Sequence, residues 1–245
     1  HVDLSSNIWM NAGEIAGDGI DNDNNGFIDD VRGWDFVDTD NDPMDLEGHG
    51  THVSGTIAGV NNGFGVTGVA YNSTIMPVRV LGPNGGTAAG VAAGIVYAVN
   101  NGADVINLSL GGGFSTEIRD AIEYAFNQGV VVVMAAGNEG QSQPGFPARH
   151  ATDWGIAVGA VDITNRMADF SNRAGSTPLD YVVAPGVNVL STTPGNTYSS
   201  FNGTSMATPH VAGVAALILS ANPSLTPAQV EALLTGTANP NGITV

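Results

Sequence analysis

Short runs of β-branched residues alternate along the chain with Ala-rich stretches. Residues 74–81 (TIMPVRVL), 104–108, 130–135 (VVVVMA) and 155–161 are close to continuously apolar, the pattern of strands covered on both faces. Between them, 87–100 (TAAGVAAGIVYAVN) and 115–127 read as helices, stopped by Asn101 with Gly102 and by Gln128 with Gly129. This β-α-β-α-β order predicts an α/β fold, a three-layer sandwich in which a parallel β-sheet is flanked by helices. A later stretch, 204–220, is apolar on nearly every side (HVAGVAALIL), which predicts a helix inside the protein. A last helix is expected over 227–234, after the start signal of Ser224, Thr226 and Pro227. Residues 1–48 lack such periodicity and read as loops. The whole is expected to form one domain over 1–245, with a loop region at 1–48, a core at 49–220 and an incomplete end at 221–245.

Charge changes this picture in one place. The chain carries 23 acidic residues against six basic ones, all Arg, for a net charge of −17. Thirteen of the acidic residues fall before Gly48, with Arg32 as their sole basic neighbour in sequence. Such a balance excludes the basic footprint of a nucleic-acid binder and a polybasic membrane anchor. No 18-residue apolar run is evident, so no membrane span is expected. Cysteine is absent, which removes disulfides and thiolate metal sites. The 42% hydrophobic content is too high for a disordered acidic tail, so the acidic segment is either solvated or holds cations.

The spacing inside that segment favours cations. Asp21, Asp23, Asn25 and the Phe27 carbonyl stand at alternate positions around Gly26, as in the first half of an EF-hand-type loop. Arg32 stands at the twelfth position, where a Glu is usual, so Asp29 or Asp30 is expected to close the shell. Hard oxygen donors alone point to Ca²⁺ rather than zinc.

Three segments combine a polar side chain with small neighbours: GHGTHVSG at 48–55, AAGNEG at 135–140 and GTSMATPH at 203–210. Ser205 opens an apolar helix, beside free N–H groups and the positive end of the dipole. His49 can take a hydroxyl proton near neutral pH, and the Asn138 amide can donate to an oxyanion. Singly these are an N-cap, a structural His and a turn; together they describe a nucleophile, a base and a charge stabiliser.

The three segments resemble the subtilisin-like serine protease family (subtilases). GHGTHVSGTIAG is similar to its histidine motif, GTSMATPHVAG to its serine motif, and AAGNEG to its oxyanion segment. The resemblance implies a secreted, monomeric serine endopeptidase acting on protein or peptide substrates, with catalytic residues His49, Ser205 and Asn138. It implies substrate contacts from Ser109, Leu110 and Gly111, from Gly85 and Gly86 behind residues 80–82, and from Ala136 and Gly137, with 141–145 on the pocket rim. His52 and His210 would be structural. Two further calcium loops are implied: one using Asn62 and Asp3, the other Asp35, Asp38 and Asp40.

The chain departs from the family at the third catalytic residue. No Asp-Thr-Gly or Asp-Ser-Gly occurs before His49. His1 to Leu4 resembles the segment that follows that turn, so the family's Asp would lie upstream of His1. Three readings stay open: an Asp on a peptide outside this chain, substitution by Glu47 or Asp45, or a Ser–His dyad. A catalytically impaired calcium-binding scaffold is the alternative function.

Overall fold

The computed structural model describes residues 1–240 and Ile243; the other positions of the expected 221–245 end lie outside the description. Among the described residues, eight strands and five α-helices follow in chain order. They are β1 (Trp34–Asp35), α1 (His49–Ala58), β2 (Val78–Arg79), α2 (Ala88–Asn100), β3 (Val105–Leu108), α3 (Thr116–Asn127) and β4 (Val131–Ala135). Then come β5 (Ile156–Val161), β6 (Tyr181–Pro185), β7 (Val189–Thr193), β8 (Thr197–Phe201), α4 (Thr204–Ala221) and α5 (Pro227–Thr237).

The expected helices form within one residue of their limits, except that α5 runs on to Thr237, three residues past the expected end; side chains cap α2, α3 and α5. Thr87 and Ser115 accept from the N–H groups of Gly90 and Ile118. Thr226 and Gln229 close a capping box on α5, with Pro227 in its first turn.

Strands β3, β4, β5 and β6 form a parallel sheet in that order. β4 is buried along its whole length. Its side chains alternate between two cores. Val132 and Met134 pack with Ile95, Ile106 and Ile122 under α2 and α3. Val131 and Val133 pack with Val158, Val211 and Val230 under α4 and α5. Burial on both faces is the reason this strand reads as unbroken apolar sequence.

Three features differ from the sequence expectation. The strand expected over 74–81 contracts to β2, which pairs with β1 in a separate two-stranded sheet. β7 and β8 form an antiparallel hairpin, so the strands are not all parallel. And α4 is long and apolar enough to cross a membrane by length and composition, although half of it is buried in the fold.

Candidate active site

His49 opens α1, Ser205 lies in the first turn of α4, and Asn138 follows the end of β4. His49 is the first residue of α1. Gly48 precedes it with φ 93°, the left-handed region open to glycine, and its N–H is held by Asp45. Asp45 takes four donors: the N–H groups of Glu47, Gly48 and Thr51, and the Thr51 hydroxyl. Burial alone would raise the Asp45 pKa, but these bonds outweigh it and hold the carboxyl below its ordinary value. Asp45 is thus the N-terminal clasp of α1.

α1 is pressed against β7. Ser191 and Thr192 donate to the carbonyls of His52 and Thr51, and a Cβ on Gly55 would lie 2.1 Å from Thr192 Oγ1. His52 is fully buried, stacks on Phe201, and places Nε2 2.9 Å from the Val189 carbonyl and 3.1 Å from that of Ser199. Two carbonyls on one nitrogen require that nitrogen to carry the proton. His52 is a structural strut, as expected. His210 likewise bonds within its own helix, to the Met206 carbonyl.

Ser205 lies in the first turn of α4, behind Gly203. Its Oγ donates to the Ser109 carbonyl at 3.3 Å, and Ser109 Oγ donates to the Ser205 carbonyl at 2.8 Å. The end of β3 is thereby tied to the start of α4. Asn138 is held by Thr204, which the sequence reading missed. Asn138 Oδ1 accepts from the Thr204 N–H at 2.8 Å and the Thr204 hydroxyl at 3.0 Å. The same hydroxyl accepts from the Gly137 N–H. With its oxygen committed to Thr204, the Asn138 side chain has its Nδ2–H groups left to donate.

The loop that carries Asn138 is organised by a second residue the sequence did not reveal. Asn172, 1% exposed, accepts from the N–H groups of Glu139 and Gln141 and donates to the Ala136 carbonyl and to Glu139. No local motif marks it, because its partners lie more than thirty residues away.

Among the described residues, no hydrogen bond joins His49 to Ser205 and no carboxylate is bonded to the His49 ring. Partial burial lowers the His49 pKa, opposed by the charges of Asp45 and Glu47. The substrate-contact candidates fall on separate segments. Gly82 and Gly85 bridge to each other, and a Cβ on Gly86 would meet the Val80 carbonyl at 2.1 Å, so this lip stays thin. Across from it, Ser109, Leu110 and Gly111 continue from β3. Gly112 bonds to the Phe146 carbonyl, and Gly145 bonds to Ala136. Phe146, Phe114 and His150 form one aromatic cluster, which gives His150 its place.

The acidic loop is folded around its own carboxylates. Oxygens of Glu14, Asp21 and Asp23 lie within 4.8 Å of one another. Glu14 was not foreseen, since it stands outside the loop motif. Asn25 donates to Asp23 and Asp30, and Asp21 accepts from the N–H groups of Asn25 and Gly26. Phe27 bonds its N–H to Asn25 and packs its ring among Trp34, Phe36 and Tyr97. Asp29 turns away to the N–H groups of Gly17, Asp18 and Gly19, while Asp30, fully buried, takes the Tyr97 hydroxyl at 2.6 Å.

The other acidic candidates are partnered within the protein. Asp3 accepts from Asn62 Nδ2, the Val66 N–H and the Tyr198 hydroxyl. Burial opposes its charge, yet these donors hold its pKa below the ordinary value. Asp35 and Asp38 pair with Arg79, and Asp40 caps the Asp42 N–H.

Comparison with known proteins identifies the family. The subtilase family profile (Peptidase S8) matches residues 1–244. A thermophilic serine proteinase of Bacillus sp. (strain AK1) is 52% identical over 193 residues, covering 78% of this chain and 47% of that protein. Subtilisin DY of Bacillus licheniformis is 49% identical over 214 residues, covering 85% of this chain and 76% of that protein. Among solved structures, a cold-adapted subtilisin-like serine proteinase superposes with a TM-score of 0.78 at 43% identity, over 86% of this chain and 76% of its own. A protease from Pseudoalteromonas arctica PAMC 21717 gives 0.79 at 36% identity, over 98% and 79%. The chain thus spans about half of the first relative and three quarters of the others. The chain belongs to the subtilase family.

Proposed function

We propose that the chain is a serine endopeptidase that hydrolyses peptide bonds of proteins or peptides. The observation that carries this reading is the Asn138 side chain, whose amide oxygen is fixed by the N–H and hydroxyl of Thr204, the residue before Ser205. A donor held rigidly where negative charge develops stabilises the transition state without reorganising during the reaction. Ser205 Oγ attacks the scissile carbonyl and His49 takes its proton. The new oxyanion sits against the Asn138 Nδ2–H and the N–H groups of the first turn of α4. His49 then passes the proton to the leaving amine, and water resolves the acyl-enzyme by the same route. Ser205 Oγ must first swing from the Ser109 carbonyl to the imidazole. Extracellular, monomeric action accompanies this reading by family resemblance.

The test is labelling by a fluorophosphonate, together with turnover of an apolar peptide anilide, in the chain and in Ser205→Ala. Labelling and turnover confined to the unsubstituted chain are expected. Their absence would favour the second reading, an impaired scaffold, which draws support from the Ser205 hydroxyl resting on Ser109 and from the unaccompanied His49 ring.

We also infer a structural Ca²⁺ at the loop of Glu14, Asp21, Asp23 and Asn25. The donor set is all oxygen, and its like charges crowd together without a cation. An ion there would supply charge balance and hold the loop. Asp35 and Asp38 fit a calcium ion poorly, because the Arg79 guanidinium already supplies their positive charge.

A further inference from the structure

Six asparagines are followed directly by glycine: Asn25, Asn62, Asn84, Asn101, Asn202 and Asn241. All but Asn241 lie among the described residues. In such a pair the glycine nitrogen can attack the asparagine side-chain carbonyl, because no Cβ hinders the approach. A fold permits this where the nitrogen is not tied elsewhere and the side-chain carbonyl is held beside it.

Four of the described pairs have the nitrogen tied. The Gly26 N–H donates to Asp21, and those of Gly85, Gly102 and Gly203 donate to the carbonyls of Gly82, Val99 and Gly186. Among the described residues, the Gly63 N–H finds no hydrogen-bond partner. A Cβ on Gly63 would meet no atom within 4 Å, so the space around this nitrogen is open. Asn62 and Gly63 are both exposed, yet the Asn62 side chain is fixed. Its Oδ1 accepts the Phe64 N–H at 3.1 Å, and its Nδ2 donates to Asp3 Oδ1 at 3.0 Å. The first bond folds the carboxamide back over the Gly63 peptide. It also sets a donor on the oxygen that becomes negative during attack. Asn25 is the internal comparison. Its Oδ1 accepts the Phe27 N–H in the same way, but its glycine nitrogen is held by Asp21.

We propose that Asn62 is a site of spontaneous deamidation, which converts it to aspartate or isoaspartate. The Gly63 nitrogen gives its proton to solvent hydroxide and bonds to Asn62 Cγ. The Cγ–Nδ2 bond breaks, and the departing nitrogen takes a proton from water to leave as ammonia. Water then opens the five-membered imide. Attack at the side-chain carbonyl leaves Asp; attack at the main-chain carbonyl leaves isoaspartate, with the chain running through the former side chain. The net change is one water taken up and one ammonia released.

The modification acts through Asp3. Asp3 is fully buried and is satisfied by Asn62 Nδ2, the Val66 N–H and the Tyr198 hydroxyl. Deamidation replaces the first donor with a carboxylate, so a like charge faces Asp3. Isoaspartate also lengthens the main chain of a loop that has no slack: a Cβ on Gly65 would lie 2.1 Å from Asp3 Oδ2. The grip of residues 60–66 on residues 1–4 therefore weakens. None of this rests on the serine peptidase reading.

The experiment ages the full chain carrying Ser205→Ala, which removes self-digestion, at pH 8 and 37 °C in calcium-free buffer. Peptide mapping by mass spectrometry follows each Asn–Gly pair, and enzymatic carboxyl methylation scores isoaspartate. Conversion at Asn62 should be at least tenfold faster than at Asn25, Asn84, Asn101 or Asn202. The comparison is internal to one chain and needs no further substitution. Asn84 is exposed as well, so equal or faster conversion there would mean that exposure governs, and would overturn the proposal. Equal rates at Asn25 and Asn62 would overturn it too. The converted chain should melt at least about 3 °C below the fresh one. An unchanged Tm with Asn62 converted would overturn the role given to its bond with Asp3.

Discussion

Ser109 and Ser205 hold each other: the Ser109 hydroxyl donates to the Ser205 carbonyl at 2.8 Å, and the Ser205 hydroxyl donates back to the Ser109 carbonyl at 3.3 Å. The carbonyl is available because of Pro209. Residue 209 would ordinarily bond its N–H to the carbonyl four residues earlier, and proline has none. At this carbonyl the first turn of α4 is therefore pinned to the segment after β3 rather than to its own helix. Ser109→Ala removes that pin. One net hydrogen bond is worth about 1 kcal/mol, or roughly fivefold, so kcat/KM on a peptide anilide should fall by about that factor. Fluorophosphonate labelling should slow in proportion. Unchanged rates in both assays would show that the contact does not position the nucleophile.

Thr204 is expected to act through Asn138. Its N–H and hydroxyl fix the amide oxygen, and its hydroxyl also receives the Gly137 N–H. Thr204→Val keeps the shape and the N–H but deletes the hydroxyl from both bonds. The Asn138 N–H should lose its fixed aim, lowering kcat by about tenfold while KM changes little, since the oxyanion exists in the transition state rather than the ground state. Thr204→Ser should restore kcat. A rise in KM with constant kcat would assign Thr204 to ground-state binding instead.

The contrast between Thr204 and Ser205 shows what sequence can reveal. Ser205, His49 and Asn138 each sit in a run of small residues, and each type has a recognisable chemistry. Thr204 and Asn172 act through partners that only the fold brings near, so nothing around them in sequence marks their roles. The same holds for elements. α2 and α3 declare themselves by period and by caps at Thr87 and Ser115. β6 is only five residues long and ends on Pro185, and the β7–β8 hairpin is short and mixes polar with apolar positions. In the acidic loop, Asp21 and Asp23 were legible from spacing. Glu14 was not, because the fold carries it in from outside the motif.

Calcium at that loop should show in melting. A ligand at 100 times its dissociation constant stabilises by about 2.7 kcal/mol, which for a chain of this size shifts Tm by roughly 5–10 °C. Removal with EDTA should lower Tm by about that amount, and Glu14→Gln should weaken the response. Asp30 is fully buried and bonded to Tyr97, whose own hydroxyl is 2% exposed as a residue, so the loop is anchored to α2. Tyr97→Phe should therefore also lower Tm, with or without EDTA. A Tm indifferent to EDTA would remove calcium from the description of this loop.

Glu231 gives the fold a pH dependence that can be isolated. It is 4% exposed, its Oε1 accepts the Gly155 N–H at 2.9 Å, and Asp180 adds a nearby negative charge. Burial, the largest cause, pushes its pKa up from 4.5 to about 7. The folded state therefore keeps a proton that the unfolded state releases above about pH 4.5. Stability from this group falls as pH rises from about 4.5 to 7, and the loss is complete above 7, by about 3 kcal/mol. The buried histidines act in the opposite sense. Burial lowers the pKa values of His52, His150 and His210, so their contribution is lost as pH falls below about 6.5. The raw profile mixes both effects; the difference between the chain and Glu231→Gln does not. The amide keeps an oxygen for Gly155 and cannot ionise. Denaturant midpoints should match at pH 4.5, then diverge, with Glu231→Gln the more stable by pH 8. Parallel profiles across that window would mean that Glu231 ionises as freely in the fold as in the open chain.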